Sequence, residues 1–91
     1  RLLPQEFDLS PAYPNPFNPA TTLSFALPQN TDVSIVIYDI KGRVVTTLIN
    51  STMQSGYHSA IWNANQYSSG LYFVQMIAGE YMNTQKLMLV K

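Results

Sequence analysis

Three prolines within six positions give the N-terminal third of this chain its character. They lie in Tyr13-Pro14-Asn15-Pro16-Phe17-Asn18-Pro19, called the proline segment below. Each proline fixes its own φ and removes a backbone donor, and each residue before a proline is pushed out of the α region. The segment therefore suits neither a helix nor an interior strand. We expect a rigid crossover anchored by its two aromatic rings, which serves either as a structural bend or as a preformed recognition surface.

Alternation of apolar and polar residues governs the rest of the 91 residues. No window keeps a 3.6-residue apolar period, so no helix longer than a turn is expected. Strands are predicted at 6–9, 21–27, 33–38, 43–49, 57–63, 71–78 and 81–90. In the second of these, the alternation predicts Leu23, Phe25 and Leu27 inside and Thr22, Ser24 and Ala26 outside.

Three local patterns add detail to this scheme. Residues 33–38 are apolar on most of both faces, which favours a central strand. Asp39-Ile40-Lys41-Gly42 is typical of a tight turn in which Gly42 takes a positive φ, so a hairpin is expected there. The polar residues 50–56 predict a loop. Trp62, the single tryptophan, is expected to face the core.

Composition excludes several function classes. Five basic and five acidic residues cancel, and only 11% of residues are charged, well below the roughly 25% of an average domain. Net charge therefore offers nothing to nucleic acid. The chain has no cysteine, which leaves the redox compartment open, and no apolar run near the ~20 residues of a membrane span.

The start of the chain indicates processing. Arg1-Leu2-Leu3 includes neither a methionine nor a signal-peptide pattern. We expect residues 1–91 to form a single domain cut from a larger precursor, with residues 1–5 as a linker remnant.

Catalytic patterns are missing from the sequence. His58 is the single histidine, too few ligands for a transition-metal site without cysteine. No serine lies in a nucleophile-elbow pattern, and no glycine-rich phosphate loop occurs. The acids fall mostly at predicted strand ends and turns: Glu6, Asp8, Asp32, Asp39 and Glu80. The chain is predicted to be no enzyme and to hold no cofactor or metal.

Aromatic residues leave one alternative open. Tyr57, Trp62, Tyr67 and Tyr72 could line a sugar-stacking face, although alternation puts at least half of them in the core or on strand faces. A carbohydrate-binding accessory module and a passive immunoglobulin-like spacer of a secreted enzyme are thus the alternative functions.

Five motifs follow one another in a fixed order. They are the proline segment with Ala20-Thr21-Thr22, then Val36-Ile37-Tyr38-Asp39-Ile40-Lys41-Gly42-Arg43-Val44-Val45, Ser55-Gly56-Tyr57-His58 with Trp62, Ser69-Gly70-Leu71-Tyr72-Phe73, and Lys86-Leu87-Met88-Leu89-Val90-Lys91. Together they resemble the type A C-terminal sorting domain of the type IX (Por) secretion system, which is related to the immunoglobulin-like repeat of the flagellar hook-capping protein. The resemblance extends from about Phe7 to Lys91. Two departures are Ile40-Lys41, where many members carry other residues, and Asn65-Gln66-Tyr67, which is shorter than the acidic, glycine-rich loop of many relatives.

The resemblance implies a fold, a function and partners. The fold is an all-β, seven-stranded antiparallel immunoglobulin-like or fibronectin-like sandwich. The function is a signal that sends a larger cargo, delivered to the periplasm by the Sec route, through the type IX machinery across the outer membrane. The cargo is then released or attached to the surface of a Gram-negative bacterium. The implied partners are that machinery, its sortase-like peptidase and an upstream cargo domain. A monomer is expected.

Partner recognition is assigned by the resemblance to motif residues. They are Tyr13, Pro14, Asn15, Pro16, Phe17, Asn18, Pro19, Asp39, Gly42, Arg43, Gly70, Tyr72, Lys86, Val90 and Lys91. Because a terminal strand at a sheet edge can be extended by strand addition, 86–91 is the first expected contact. Structural interpretations compete at three of these positions, with Gly42 and Gly70 as turn residues and Tyr72 in the core.

Overall fold

Seven strands make up the fold in the computed structural model, which describes residues 3–91 and holds no helix among them. The strands are β1 (Asp8–Leu9), β2 (Ala20–Leu27), β3 (Thr31–Tyr38), β4 (Val44–Met53), β5 (Gly56–Asn63), β6 (Gly70–Ala78) and β7 (Tyr81–Leu89). One sheet has the order β1-β2-β5 and the other β4-β3-β6-β7, with every strand pair antiparallel. The predicted all-β sandwich is confirmed. Residues 1 and 2 of the predicted linker remnant lie outside the described residues.

The core lies between the two sheets and follows the predicted alternation. β3 is central, between β4 and β6, as its two apolar faces indicated. Trp62 is buried as predicted, with its ring centroid 5.5 Å from that of Phe17 and 5.2 Å from that of Tyr72. Aromatic pairs at such distances add to the stability gained by burial. This aromatic group lies where the proline segment meets the sandwich.

The predicted loop at 50–56 is wrong over its first half. β4 continues to Met53, and Asn50, Ser51 and Thr52 pair in register with β3. β4 is the outer strand of its sheet, so polar side chains there can remain in water while the backbone still pairs. A polar composition therefore did not distinguish an edge strand from a loop.

The alternation predicted for β2 fails at one position. Leu23, Phe25 and Leu27 are buried as expected, but Ala26, predicted outside, is buried as well. Ala26 stands opposite Asp8 of β1 and Tyr57 of β5. Its methyl group is shielded because larger residues flank it on both neighbouring strands.

Residues 3–91 contain no helix long and apolar enough to cross a membrane.

Candidate recognition surface

The proline segment joins the two sheets. Tyr13 exchanges backbone hydrogen bonds with Thr22 of β2 at 3.1 and 3.0 Å. Four residues later, the Phe17 N–H donates to the Met88 carbonyl of β7 at 2.9 Å, and the Val90 N–H donates to the Phe17 carbonyl at 3.0 Å. The second pair is a short stretch of parallel strand pairing. The segment is therefore fixed to both sheets, as expected of a rigid crossover.

Asn15 extends this pairing through its side chain. Its Nδ2 donates to the Lys86 carbonyl at 2.9 Å, and its Oδ1 accepts from the Met88 N–H at 3.0 Å. If the parallel pairing at Phe17 continued to residue 15, the backbone C=O and N–H of that residue would make these two hydrogen bonds. The side-chain amide takes their place in a stretch where Pro16 supplies no N–H. The peptide bonds preceding Pro14, Pro16 and Pro19 are cis.

The Gln85 side chain forms hydrogen bonds to the residues that precede the proline segment. Its Nε2 donates to the carbonyls of Leu9 and Ser10 at 2.9 and 3.0 Å, and its Oε1 accepts from the Ala12 N–H at 3.3 Å. Residues 9–17 consequently cover the free edge of β7 from Gln85 to Val90. On this edge the carbonyls of Lys86 and Met88 and the N–H groups of Met88 and Val90 already have partners. Strand addition at 86–91 would first have to displace the proline segment, so that contact stays a prediction.

Buried anchors hold the segment from below. The Phe17 side chain is 1% exposed and packs against Trp62. Thr21 is the buried polar residue of the described chain, and its hydroxyl donates to the Pro14 carbonyl at 2.7 Å. Tyr13, by contrast, is 80% exposed. The segment therefore presents one large aromatic ring to solvent on a backbone that has little freedom.

The β3–β4 turn is organised by one carboxylate. Asp39 Oδ1 accepts from the backbone N–H groups of Lys41 and Arg43 at 2.9 and 3.0 Å, and Oδ2 accepts from Arg43 Nε at 2.9 Å. The backbone hydrogen bond from Arg43, followed by that from its side chain, lowers the pKa of Asp39. Gly42 has φ +82° and donates to the Asp39 carbonyl, which confirms the predicted turn.

The predicted recognition residues gather at one end of the sandwich in two groups. The proline segment and the end of β7 form the first, since they are hydrogen-bonded together. The turn at 39–43 and the start of β6 form the second and line a shallow hollow of about 300 Å³. The register explains the shared end: Tyr38 pairs with both Val44 and Phe73, and Gly70 pairs with Leu89.

Three of the predicted recognition residues also had a structural interpretation, which the structure can test. Tyr72 is buried, and its hydroxyl donates to the Ser68 carbonyl at 2.7 Å, so its interpretation as core is confirmed. Gly42 and Gly70 both have a positive φ, as turn residues can. Lys91, in contrast, is exposed, and its Nζ donates to the Asn65 carbonyl at 2.7 Å.

Two supporting residues were missed from the sequence. Both carried the same signal in the alternation of their strands. Thr21 lies on the inward-facing phase of β2 together with Leu23 and Leu27, and Gln85 lies on that of β7 together with Leu87 and Leu89. A polar side chain at an inward position needs a hydrogen-bonding partner, and for Gln85 the partner is the backbone of 9–12.

The four aromatic residues considered for sugar stacking do not form one exposed row. Trp62 and Tyr72 are buried in the core, while Tyr57, on the same strand as Trp62, lies on the outer face of that sheet. A sugar platform built from this set is therefore wrong.

The side chains that could ligate a metal are scattered in the described part of the chain. Residues 3–91 contain no group of three or more histidine, aspartate or glutamate side chains that could hold an ion. His58 is half-buried, stacks on Phe25 at 5.4 Å between centroids, and has Nε2 2.7 Å from the Gln54 carbonyl oxygen. These contacts give it a structural role.

Comparison with known proteins identifies the family. A family model described as the secretion system C-terminal sorting domain matches residues 11–91, which include all five motifs. No curated protein and no solved structure matches the chain. Domains of this family act in general as signals and not as catalysts. The chain therefore belongs to the secretion system C-terminal sorting domain family, whose members mark proteins for type IX export to the cell surface or the extracellular space.

Proposed function

We propose that this domain carries a larger cargo, joined to it in one precursor, from the periplasm through the type IX machinery. The cargo crosses the outer membrane and is released or attached to the cell surface, and a sortase-like peptidase acts on the precursor. The observation that carries this proposal is the family match over residues 11–91.

The surface read by the machinery is proposed to be the proline segment together with the end of β7. Hydrogen bonds from Asn15 and Phe17 hold these two parts as one unit. Tyr13, Met88 and Val90 are exposed there, so the unit offers apolar groups on a fixed backbone. Preorganised surfaces bind well because little conformational entropy is lost on association. A partner would read side chains, since the edge hydrogen bonds of β7 are already used.

The turn at Asp39–Arg43 is proposed as a second, smaller contact. Its carboxylate network fixes the positions of Lys41 and Arg43, which are exposed. Gly70 lies beside this turn across the shallow hollow. Gly42 and Tyr72 are proposed to support the contact by shaping the backbone beneath it.

The test is a secretion assay in a host with a working type IX system. A reporter with a Sec signal is fused to residues 1–91 and followed to the periplasm, surface and medium. Truncation before Lys86 is a poor probe because it removes Leu87 and Leu89 from the core. Tyr13→Ser and Val90→Ser are better, since both side chains are exposed. Met82→Ser, an exposed apolar residue at the other end of β7, is the matched control.

We expect the unmodified domain and Met82→Ser to export the reporter, and Tyr13→Ser and Val90→Ser to leave most of it in the periplasm. Purified variants should keep their unfolding midpoints. Retention of the unmodified fusion in a compatible host would overturn the sorting function and favour a passive spacer. Normal export of both surface variants would overturn only the proposed contact surface.

A further inference from the structure

Three of the four sheet edges in the described chain are protected against pairing with another strand. β1 is two residues long, too short to template a partner. β7 is covered by residues 9–17 along its second half, from Gln85 to Val90, which leaves only the short stretch 81–84 outside this cover. Unpaired edges expose rows of N–H and C=O groups, and natural sheets shorten, cover, bulge or charge them. The protection of β1 and β7 follows this rule.

β4 is protected by irregularity. Ile35 pairs with Ile49 but Val36 pairs with Thr47, so one residue of β4 is left over, and a second shift occurs near the turn. Each β-bulge twists the strand and interrupts the straight row of edge groups. β4 is free of shifts only over 49–53, so a second chain cannot pair along the whole of β4 in an unbroken register.

β5 has none of these protections. Its eight residues, Gly56–Asn63, pair with β2 without a register shift, and no strand of residues 3–91 lies along its other side. The strand contains no charged residue and no proline. It is therefore the straight, uncharged edge of the domain.

We propose that a second copy of the domain pairs antiparallel along β5, with Ser59 of one copy opposite Ser59 of the other. Tyr57 and Ile61 both lie on the outer face and are 60% and 66% exposed. They stand symmetrically about Ser59, so this register puts each Tyr57 opposite the other copy's Ile61. Aromatic and β-branched residues are a favourable cross-strand pair. No other register along β5 makes both of these pairs.

Electrostatics permits this contact. β5 contains no lysine, arginine, aspartate or glutamate, and a formal net charge of zero leaves little long-range repulsion between two copies. The pairing is isologous, so it closes at two copies and joins the two three-stranded sheets into one of six strands. One strand from each copy makes a small interface, so the dimer is weak and depends on concentration. At low concentration the domain is the monomer that the sequence leads us to expect.

The first experiment uses the absence of cysteine in the chain. Ser59→Cys places one thiol on each copy at the symmetric position, where the Cα separation of a cross-strand pair suits a disulfide. Thr84→Cys, exposed on β7, is the matched control. We expect Ser59→Cys to form the linked dimer on mild oxidation at a rate roughly tenfold above that of the control. Equal rates would overturn the proposal.

The second experiment measures association by sedimentation equilibrium up to about 1 mM chain. The unmodified chain should show a dimer. Ser59→Lys should lower the association constant roughly two- to fivefold, because like charges then lie opposite each other, whereas Thr84→Lys should leave it unchanged. Mixing Ser59→Lys with Ser59→Glu should restore association, because the opposite charges then meet. A chain that stays monomeric throughout, or a mixture that fails to recover, would overturn the proposal. Thermal unfolding of each variant checks that it is folded.

Discussion

The side-chain oxygen of Asn15 accepts a hydrogen bond from the backbone N–H of Met88 across 73 positions of sequence. The nitrogen of the same amide donates to the Lys86 carbonyl. One side chain thus fills a place in a strand ladder that a peptide group usually occupies. The first and last family motifs are therefore parts of a single folded unit, and a change in one alters the presentation of the other.

Replacing Asn15 by alanine should cost about 1 kcal/mol of unfolding free energy, because two solvent-accessible hydrogen bonds are lost. Asn50→Ala is the control, since the Asn50 side chain is exposed and forms no hydrogen bond within residues 3–91. Urea unfolding followed by Trp62 fluorescence measures both variants. Equal losses in the two would contradict the ladder role of Asn15.

Gln85→Glu should destabilise the domain by about 2 kcal/mol at pH 7. The two donated bonds to Leu9 and Ser10 disappear, and a carboxylate then faces two carbonyl oxygens. Protonation of that carboxylate below its ordinary pKa of about 4.3 restores one donor, so the deficit should shrink near pH 3. Gln66→Glu, at an exposed loop position, adds the same charge and should change the unfolding free energy little. A deficit of Gln85→Glu that is independent of pH would contradict the explanation.

How far the sequence predicts this molecule depends on the range of the interaction. Period-two alternation and runs that are apolar on both faces predicted the seven strands and the central place of β3, because the burial of a strand's faces is visible in its local sequence. The docking of the proline segment on β7 was not predicted, since it depends on side-chain amides that meet over more than 70 positions. Residues 50–53 were misjudged because exposed edge strands and loops share polar composition.

The same distinction applies to the candidate recognition residues. The order of the motifs indicated which segments are candidates for recognition, and Gly42 was correctly expected to have a positive φ. Sequence alone could not indicate that 86–90 is covered along its edge. That fact moves the proposed readout from backbone pairing to exposed side chains such as Tyr13 and Val90.

The Asp39 turn should make stability depend on pH in the acidic range. The pKa of Asp39 is lowered in the folded chain from the ordinary 3.8, chiefly by the backbone hydrogen bond from Arg43. A lowered folded pKa contributes stability that is present above the unfolded value and lost as pH falls through the folded one. Unfolding measured from pH 5 to pH 2 should therefore show a loss below 3.8. Asp39→Asn should reduce that loss, and Glu80→Gln, which removes the same charge in the β6–β7 turn, is the control. An unchanged pH profile in Asp39→Asn would contradict this assignment.

Adjacent threonines on β2 provide a matched test of how the proline segment is anchored. Thr21→Val keeps the shape of a buried side chain but removes its hydrogen bond to the Pro14 carbonyl, so a loss of about 1 kcal/mol is expected. Thr22, one position away, has a half-buried side chain that makes no hydrogen bond within residues 3–91. The unfolding free energy of Thr22→Val should therefore stay within about 0.5 kcal/mol of that of the unmodified chain. The Tyr13 N–H is hydrogen-bonded to β2 only while the proline segment is docked. If the hydroxyl of Thr21 positions the segment, hydrogen exchange of the Tyr13 amide should therefore be faster in Thr21→Val and unchanged in Thr22→Val. Equal stability and equal exchange in the two variants would mean that Phe17 and the β7 contacts suffice, and that the Thr21 hydroxyl merely satisfies a polar group.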